Sequence, residues 1–321
     1  MSVLPASAEN IEKFADMISS GEAVAFPTET VYGLGVDAGN DEAVAKIFEL
    51  KGRPQFNPLI VHVRDLAQAE RLGVFSPLAR SLAKAHWPDA LTLVVPRSSD
   101  NPSHNEVSLL ASAGLPSLAL RVPAHPVAQE LLAAVQCPLA APSANKSGHL
   151  SPTQAAHVAK DFPNLPTLDG GVCSKGLEST IIGCLEDEPV LLRRGSLDAA
   201  ALEETLGHKL SYLAEDDSQT AQLAPGRLAR HYAPQAGLRL NAETVEQDEA
   251  LLAFGKDAPS CENLCLNLSP LGNLIEAAAN LFIHLHELDT TATRIAVMPI
   301  PNEGLGAAIN DRLERAAAAS K

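Results

Sequence analysis

Short apolar runs of four to eight residues recur through the first two thirds of the chain, and proline, glycine or charged residues bound most of them. Runs of this length are too short for buried helices and predict buried β-strands. The run AVAF, for example, stops at Pro27, and a proline is rarely accommodated inside a sheet. The strands predicted in this way are residues 23–26, 58–63, 91–96, 118–123, 137–144, 179–184 and 189–195.

Between these runs, apolar residues recur at the three- and four-residue spacing of amphipathic helices. Residues 9–20 end before Gly21, and glycine commonly follows the last turn of a helix. Residues 41–51 follow Asn40, whose side chain can cap a helix N-terminus. Strands and helices alternate irregularly, and the sequence contains no repeat. The pattern therefore predicts a mixed α/β fold built on a twisted sheet.

The pattern changes after residue 210. Residues 211–236 are first acidic and polar, then contain a Pro-Gly pair and the basic-aromatic stretch RLARHYAP, which is typical of a linker. Short apolar runs and two helical patterns resume in residues 237–321, a length that suits a small second α/β domain. We therefore predict a first domain at 1–210, a linker at 211–236 and a second domain at 237–321.

The charge distribution argues against a nucleic-acid-binding surface. The net charge is −15: residues 1–210 carry 16 basic and 24 acidic side chains, and residues 211–321 carry 8 and 15. A broad contact with a phosphate backbone needs clustered Lys and Arg, which neither part provides. Aromatic residues make up 4% of the chain, which also disfavours a base-stacking surface. We expect no strong direct nucleic-acid binding.

The cysteines and the N-terminus bear on the compartment. The five cysteines are odd in number, and Cys261 and Cys265 form only a lone CxxxC, so neither a disulfide framework nor a zinc ribbon is predicted. The N-terminal residues lack the basic and apolar regions of a signal peptide, and no apolar run is long enough to span a membrane. We expect a cytoplasmic protein that does not enter a membrane.

Common nucleotide and hydrolase motifs are absent from the sequence. It contains no GxxxxGK[ST], no HExxH and no GxSxG, and the glycines of GLGVDAG at 33–39 do not have the GxGxxG spacing. If the protein binds a nucleotide, its site must be of another kind.

A cationic turn is one candidate for such a site. KGRPQFN at 51–57 places Lys51 and Arg53 between a predicted helix and a predicted strand. A guanidinium fork and an ammonium point charge, constrained by a glycine and a proline, suit a polyphosphate. The alternative is that both side chains are solvated at the end of the helix, where its dipole favours cations.

A polar segment is the second candidate. APSANKSGHLSPT at 141–153 follows an apolar run and combines serines, an asparagine and a lysine. Such side chains and the exposed amides after a strand can surround phosphate or ribose oxygens. The alternative is a polar loop in which Ser151 and Pro152 begin a helix. The spacing alone does not decide between the two.

Polar residues also lie within or beside predicted strands, where a solvated side chain is not expected. They are His62 in PLIVHV, Arg121 in LALRVP, and the pair Ser179 and Thr180 after GLE. A buried arginine needs an anion. A carboxylate-bearing substrate and a structural Asp or Glu satisfy this requirement equally well.

In order along the chain, FPTETVYGLG, KGRPQFNPL, LRVP, APSAN, GLEST, RRG, PGRLARHYAP and IPNEGLGAAINDRLERAA resemble the L-threonylcarbamoyladenylate synthase family in its longer form. The resemblance covers about residues 10–210 and 225–321. It implies a YrdC-like catalytic domain with a twisted sheet at 1–210, a linker that acts as a lid, and a smaller C-terminal α/β domain.

The resemblance also implies a reaction. Members of this family combine L-threonine, bicarbonate and ATP into threonylcarbamoyl-AMP and pyrophosphate, with Mg²⁺ carried by ATP and no metal ligands from the protein. The tRNA threonylcarbamoyl transferase proteins act downstream and would be its functional partners. The alternative is an RNA-binding or ribosome-associated module, which the acidic charge disfavours. Hydrogenase-maturation carbamoyltransferases contain zinc-finger and acylphosphatase segments that are absent here.

The resemblance assigns site residues by position. Lys51 and Arg53 are the implied catalytic residues. The residues implied in ATP binding are Lys51, Arg53, Asn57, Ser117, Ser143, Asn145, Ser151, Arg194 and Tyr232. The residues implied in threonine binding are Thr30, Tyr32, His62, Arg121, Ala141 and Ser179. We expect the cationic turn to face the phosphates and Arg121 to hold the threonine carboxylate.

The role assigned to Arg53 can be tested directly. Arg53→Ala should strongly reduce turnover and leave the fold intact, because a cation at the transferred phosphate stabilises the transition state rather than the folded chain. Pyrophosphate release and far-UV circular dichroism measure the two effects. Unchanged pyrophosphate release by the folded variant would contradict the role.

Overall fold

The strands form two separate sheets in the part of the chain that the computed structural model describes, residues 3–52, 57–98, 106–212 and 232–319. One mixed sheet contains β1 to β11: Val3–Pro5, Val24–Phe26, Gly33–Asp37, Ile60–His62, Leu91–Pro96, Ser117–Arg121, Leu139–Ala140, Thr167–Asp169, Thr180–Gly183, Val190–Arg193 and Ser211–Tyr212. A parallel sheet contains β12 to β15: Gly237–Arg239, Ala250–Ala253, Cys265–Asn267 and Arg294–Val297. The predicted mixed α/β class is confirmed.

The two helices whose bounds the sequence predicts, 9–20 and 41–51, lie within one residue of those bounds. Helices α1 to α9 are Ala8–Ser19, Asp41–Lys51, Leu66–Leu72, Pro77–His86, Pro126–Val135, Ala155–Asp161, Ala199–Leu206, Leu274–Thr291 and Leu305–Ala319. Asn40 caps α2 by accepting a hydrogen bond from the amide of Ala43 at 3.0 Å, and Gly52 ends it in a left-handed conformation. None of the helices in the described ranges combines the length and apolar composition needed to span a membrane.

The register of the large sheet gathers the polar strand residues at one place. Its strand order is β1-β8-β2-β3-β7-β4-β6-β5-β9-β10-β11. His62 at the end of β4 lies opposite Arg121 at the end of β6, and Arg121 lies opposite Thr92 near the start of β5. The first residue of β9, Thr180, pairs with Leu91. Side chains that are 30 to 120 positions apart in sequence therefore meet at one edge of the sheet.

Strand β3 is not among the strands that the hydrophobic pattern predicts. Its sequence, GLGVD, contains two glycines, which normally weaken a strand. A Cβ on Gly35 would lie 2.6 Å from the ring of Phe26 on the neighbouring strand β2. The aromatic side chain therefore occupies the space that a larger residue would need, and glycine is required for packing rather than for a turn.

The two parts of the chain share a hydrophobic core. Leu150 and Leu177, which belong to the first 210 residues, cluster with Leu281, Phe282 and other residues of the C-terminal part. The predicted boundaries at residues 210 and 236 stay predictions, and residues 213–231 of the predicted linker lie outside the described residues.

Gly176 lies at this shared interface. Its φ of +68° is in the left-handed region, and a Cβ there would approach the carbonyl oxygen of Ala278 to 2.4 Å and the backbone of Ala279 to 2.6 Å. The loop before β9 therefore contacts the backbone of α8 directly, and a side chain at this position would separate the two.

We expect Gly176→Ala to destabilise the protein more than Gly207→Ala. Gly207 also has a positive φ, +76°, but no atom lies within 4 Å of its Cβ position. Both substitutions incur a left-handed penalty of about 1–2 kcal/mol, and only the first adds a backbone clash, worth roughly a further 1–3 kcal/mol. Thermal unfolding measures the difference. Equal melting temperatures would show that the interface accommodates the added Cβ without a loss of stability.

Candidate active site

A cavity opens at the edge of the large sheet where β4 and β6 end and β9 begins. Residues from the turn after β2, the loop after β7 and the end of β10 complete its wall. The predicted site residues that line it are Thr30, His62, Arg121, Ala141, Ser143, Ser179 and Tyr232. The structure thus brings together most of the residues implied in threonine binding and two of those implied in ATP binding.

Arg121 forms a buried ion pair with a protein carboxylate. Its Nη2 lies 2.5 Å from Oε1 of Glu29, and both side chains are less than 7% exposed. Glu29 also accepts a hydrogen bond from the amide of Ala124 at 2.9 Å. The Nε of Arg121 is buried and has no hydrogen-bond partner among the described residues. The structural carboxylate is therefore present, and one donor of the same guanidinium, on a residue that lines the cavity, still lacks an acceptor among the described residues.

His62 is a neutral imidazole in this cavity. Burial and the positive charge of Arg121 lower the pKa of His62 to about 3, so the ring does not carry a charge near neutral pH. Its edge meets the ring of Phe26 at a centroid distance of 6.2 Å. Within the described residues, Nδ1 of His62 is buried without a hydrogen-bond partner. An uncharged, unpaired ring nitrogen beside a cation suits a polar ligand.

The PTET turn presents a hydroxyl group to the cavity. Oγ1 of Thr28 accepts hydrogen bonds from the amides of Thr30 and Val31, both at 3.2 Å, and donates to the carbonyl of Val31 at 2.6 Å. These contacts fix the turn locally. Oγ1 of Thr30 lies 2.8 Å from that of Thr28, and Thr30 lines the cavity.

Tyr32 supports the cavity wall from behind. Its hydroxyl donates a hydrogen bond to the carbonyl of Gly171 at 2.8 Å, and its side chain is not part of the cavity lining. Its backbone amide donates to Pro152, and its carbonyl accepts from Ala144, both at 2.8 Å. Tyr32 therefore connects β3 to the loop that follows β7.

Lys51 holds the same loop from the other side. Its side chain is buried, and Nζ donates to the carbonyl oxygens of Ser143 at 2.6 Å and Asn145 at 2.5 Å. The alternative of a solvated lysine at the helix end is therefore wrong for Lys51. Arg53 lies outside the described residues.

The polar loop at 141–153 is fixed by its own side chains. Nδ2 of Asn145 donates to the carbonyl oxygens of Lys146 and His149, both at 2.9 Å, while Oδ1 is buried without a partner in the described ranges. Ser151 is fully buried, and its hydroxyl donates to Glu178 at 2.5 Å. The alternative in which Ser151 and Pro152 begin a helix is wrong, because α6 begins at Ala155.

Like Lys51, Asn145 and Ser151, three more residues implied in ATP binding do not line the cavity. Asn57 is buried just before β4. Ser117 begins β6, four residues and roughly 13 Å from Arg121 on the same face of the strand. The guanidinium of Arg194 lies over the ring of Tyr212, 4.6 Å from its centroid. Their roles in ATP binding stay predictions.

The structure adds two charged residues that the motif comparison did not assign. Arg193 lines the cavity, and its Nη2 donates to the carbonyl of Ser179 at 2.8 Å. Glu178 also lines it; burial favours a raised pKa, but Arg312, Arg193 and the Ser151 hydroxyl outweigh burial and lower the pKa, so the group is ionised. Adjacent strand residues point to opposite faces, so only one arginine of the RRG motif could face the cavity.

The site combines cations with neutral polar groups in an acidic chain. Two arginines and a neutral histidine line a cavity whose carboxylate, Glu178, is itself bonded to Arg312. Such a site favours anionic ligands. Nowhere in the described ranges do three or more His, Cys, Asp or Glu side chains come together in a way that could hold a metal ion.

Known proteins are similar to this chain over most of its length. A family model described as telomere recombination matches residues 16–195, and a model described as threonylcarbamoyl-AMP synthase, C-terminal domain, matches residues 197–318. A threonylcarbamoyl-AMP synthase of Bacillus subtilis is 37% identical over 96% of this chain and 92% of its own length. One of Pyrococcus abyssi is 38% identical over 94% and 92%.

A solved structure agrees with these matches. The crystal structure of P. abyssi Sua5 complexed with L-threonine superposes with a TM-score of 0.87, is 36% identical, and covers 98% of this chain and 96% of that one. The chain belongs to the threonylcarbamoyl-AMP synthase family.

Proposed function

We propose that this protein forms threonylcarbamoyl-AMP and pyrophosphate from L-threonine, bicarbonate and ATP. The observation that carries the proposal is the buried pair of unpartnered nitrogens, Nε of Arg121 and Nδ1 of His62, beside two hydroxyl-bearing residues in one cavity. A small amino acid supplies a carboxylate for the cation and polar atoms for the neutral groups. Relatives named threonylcarbamoyl-AMP synthase and a threonine complex of P. abyssi Sua5 support this choice of ligand.

The threonine sub-site follows from these contacts. Arg121, already fixed on one edge by Glu29, donates through Nε to the threonine carboxylate. Thr30 and Ser179 supply hydroxyl groups on either side, and His62 stays neutral, so it does not repel the ammonium group or compete for the carboxylate. The backbone at Ala141 closes the pocket, and Tyr32 fixes the wall behind it.

The nucleotide sub-site lies along the loop after β7. Lys51 holds the carbonyls of Ser143 and Asn145 and so fixes this loop, of which Ser143 lines the cavity. Oδ1 of Asn145 is the unpartnered acceptor that suits an amino or hydroxyl group of the nucleotide. Arg53, Asn57, Ser117, Ser151, Arg194 and Tyr232 complete the proposed ATP-binding set.

The chemistry needs positioning rather than a protein nucleophile. The threonine amine attacks bicarbonate, and loss of water leaves a carbamate. A carbamate oxygen then attacks the α-phosphorus of ATP, and the bond to the pyrophosphate oxygen breaks. Fixed cations stabilise the charge that develops on the phosphates, and alignment of the two substrates lowers the entropic barrier.

Mg²⁺ enters the proposal as the ion bound to the ATP phosphates. Glu178 is the carboxylate of the described cavity wall, and both of its oxygens accept hydrogen bonds from the protein. Its lone pairs are thus already shared with the protein, and the proposal assigns no step to a protein-bound ion.

The cellular setting is likewise part of the proposal. The product is a mixed anhydride that water hydrolyses, so a threonylcarbamoyl transferase acting on tRNA must use it promptly. Such proteins would be the functional partners of this enzyme in the cytoplasm. The RNA-binding alternative would need a basic surface, and both parts of the chain are acidic.

Pyrophosphate release from ATP tests the reaction, with threonine and bicarbonate omitted in turn. We expect release only when both are present, because the carbamate is the attacking group. Release that needs neither substrate would identify a nucleotide hydrolase instead. Nucleotide binding without any release would favour a binding module.

Removing the cation of the threonine sub-site should raise the threonine KM and leave the ATP KM nearly unchanged. Arg121→Met alone would leave Glu29 buried and unpaired, so the test pairs it with Glu29→Gln. We expect the double variant to raise the threonine KM about 10-fold or more, the usual effect of losing a charged hydrogen bond. Glu29→Gln alone is the control, and a change confined to the ATP KM would show that the two sub-sites are reversed.

A further inference from the structure

An arginine on helix α9 of the C-terminal part contacts the wall of the active-site cavity. Arg312 is 1% exposed, and its Nε donates to Oε2 of Glu178 at 2.9 Å. Its Nη2 donates to the carbonyl of Arg194 at 2.9 Å, and its Nη1 lies 2.5 Å from Oδ2 of Asp311. All three nitrogens of the guanidinium thus have acceptors. Two of these acceptors, on Glu178 and Arg194, belong to the first 210 residues, the predicted catalytic domain.

The contact continues to a residue of the proposed ATP-binding set. Glu178 lines the cavity, and its other oxygen accepts the hydroxyl proton of Ser151 at 2.5 Å. The carbonyl of Ser151 lies 3.2 Å from Nε2 of His286 on α8, and this ring stacks on His157 at a centroid distance of 3.8 Å. The C-terminal part therefore holds Ser151 both through Glu178 and through His286.

Arg312 also supports Tyr232. The guanidinium lies 5.1 Å from the centroid of the Tyr232 ring, within the range of a cation–π contact, and Phe282 of α8 lies 5.8 Å away. Tyr232 has a left-handed backbone with a φ of +63°, which is strained for a residue with a side chain. Packing between Arg312 and Phe282 keeps the ring in the cavity wall despite that strain.

We propose that Arg312 is a positioning residue for the nucleotide side of the active site, acting from the C-terminal domain through Glu178, Ser151 and Tyr232. The proposal rests on the proposed function for the identity of the nucleotide. It gives the C-terminal domain a direct role in catalysis, because the cavity wall that faces ATP is complete only when α9 is docked.

The charge on Glu178 makes the pH dependence of catalysis a suitable readout, because a purely structural role of Arg312 would not change it. The groups that face this carboxylate are Arg312, Arg193, Tyr232 and the hydroxyl of Ser151, with Asp311 behind Arg312. Burial favours the protonated form, and Arg312 is the first of the groups that lower the pKa against it. Without Arg312 the pKa of Glu178 rises, and a protonated Glu178 no longer binds Ser151 as a full acceptor.

The histidines nearby do not produce the same signal. Burial lowers the pKa of His286 to about 4 and that of His157 to about 3, so both rings stay neutral in the range where Glu178 would begin to titrate. Lys160, Asp161 and Asp289 are the charged groups that face this pair.

The test compares Arg312→Met with Arg239→Met. Arg239 forms an ion pair of 2.5 Å with the buried Glu249 in the same domain and does not reach the cavity wall, so it controls for loss of a C-terminal ion pair. We expect Arg312→Met to raise the ATP KM about 10-fold, with less than about a 2-fold change in the threonine KM. Its kcat/KM for ATP should also fall more steeply towards acid pH than that of the wild type and Arg239→Met, because the titration of the substrates is common to all three enzymes and only Arg312→Met raises the pKa of Glu178.

Two further variants keep the proposal testable if Arg312→Met does not fold. Arg312→Lys retains a positive charge beside Glu178, so its pH profile should stay flatter than that of a neutral substitution while its ATP KM still rises. Arg312→Met combined with Glu178→Gln removes both charges of this ion pair and the carboxylate that titrates, so the additional acid limb should disappear. An additional acid limb that persists in this double variant would overturn the role of Glu178.

Nucleotide binding without turnover separates this proposal from the proposed function. Calorimetry with α,β-methylene-ATP should show weaker binding to Arg312→Met and unchanged binding to Arg239→Met. Equal binding by the wild type and Arg312→Met, with equal ATP KM values, would overturn the positioning role. A wild type that binds the analogue but releases no pyrophosphate with threonine and bicarbonate would instead contradict the proposed reaction.

Discussion

The buried ion pair between Arg121 and Glu29 is the constraint on which the active site depends. Removing two charges from water is costly, and the cost is offset only when geometry and further hydrogen bonds are good. Glu29 lies in the turn after β2, and Arg121 ends β6, so the pair joins a turn to a strand 92 positions later. The pair ties the turn to the sheet, and the charge of Arg121 adds to burial in keeping His62 neutral.

A second buried arginine, Arg312, fixes another residue of the cavity wall. Arg312 supplies for Glu178 what Glu29 supplies for Arg121, a counter-charge inside the protein. The two pairs differ in origin, because one lies within the catalytic part and the other joins it to the C-terminal part. The cavity between them is positive enough for anions, although the chain as a whole carries a net charge of −15. Local pairing, rather than net charge, determines what the site can bind.

Sequence patterns predicted the local structure well and the long-range contacts poorly. Most strands and the capped helix α2 follow from apolar runs and from Asn40 and Gly52, whose effects are local. The hydrophobic pattern does not predict strand β3, because its glycines are needed to leave room for the ring of Phe26 on the neighbouring strand. Seven of the residues that the motifs assign line one cavity. The motifs did not indicate that Arg193 rather than Arg194 faces it, or that Glu178 is paired with a residue 134 positions later, because such a pairing leaves no local pattern.

The shared core of Leu150, Leu177 and Phe282 has a consequence for how the protein is made. A growing chain emerges from the ribosome N-terminus first, and domains generally fold in that order. The large sheet can form while α8 and α9 are still being synthesised, but two leucines and the carboxylate of Glu178 then stay uncovered. The nucleotide side of the active site is therefore completed last, after α9 with Arg312 has been synthesised. The order of synthesis thus delays catalysis until the C-terminal part has docked.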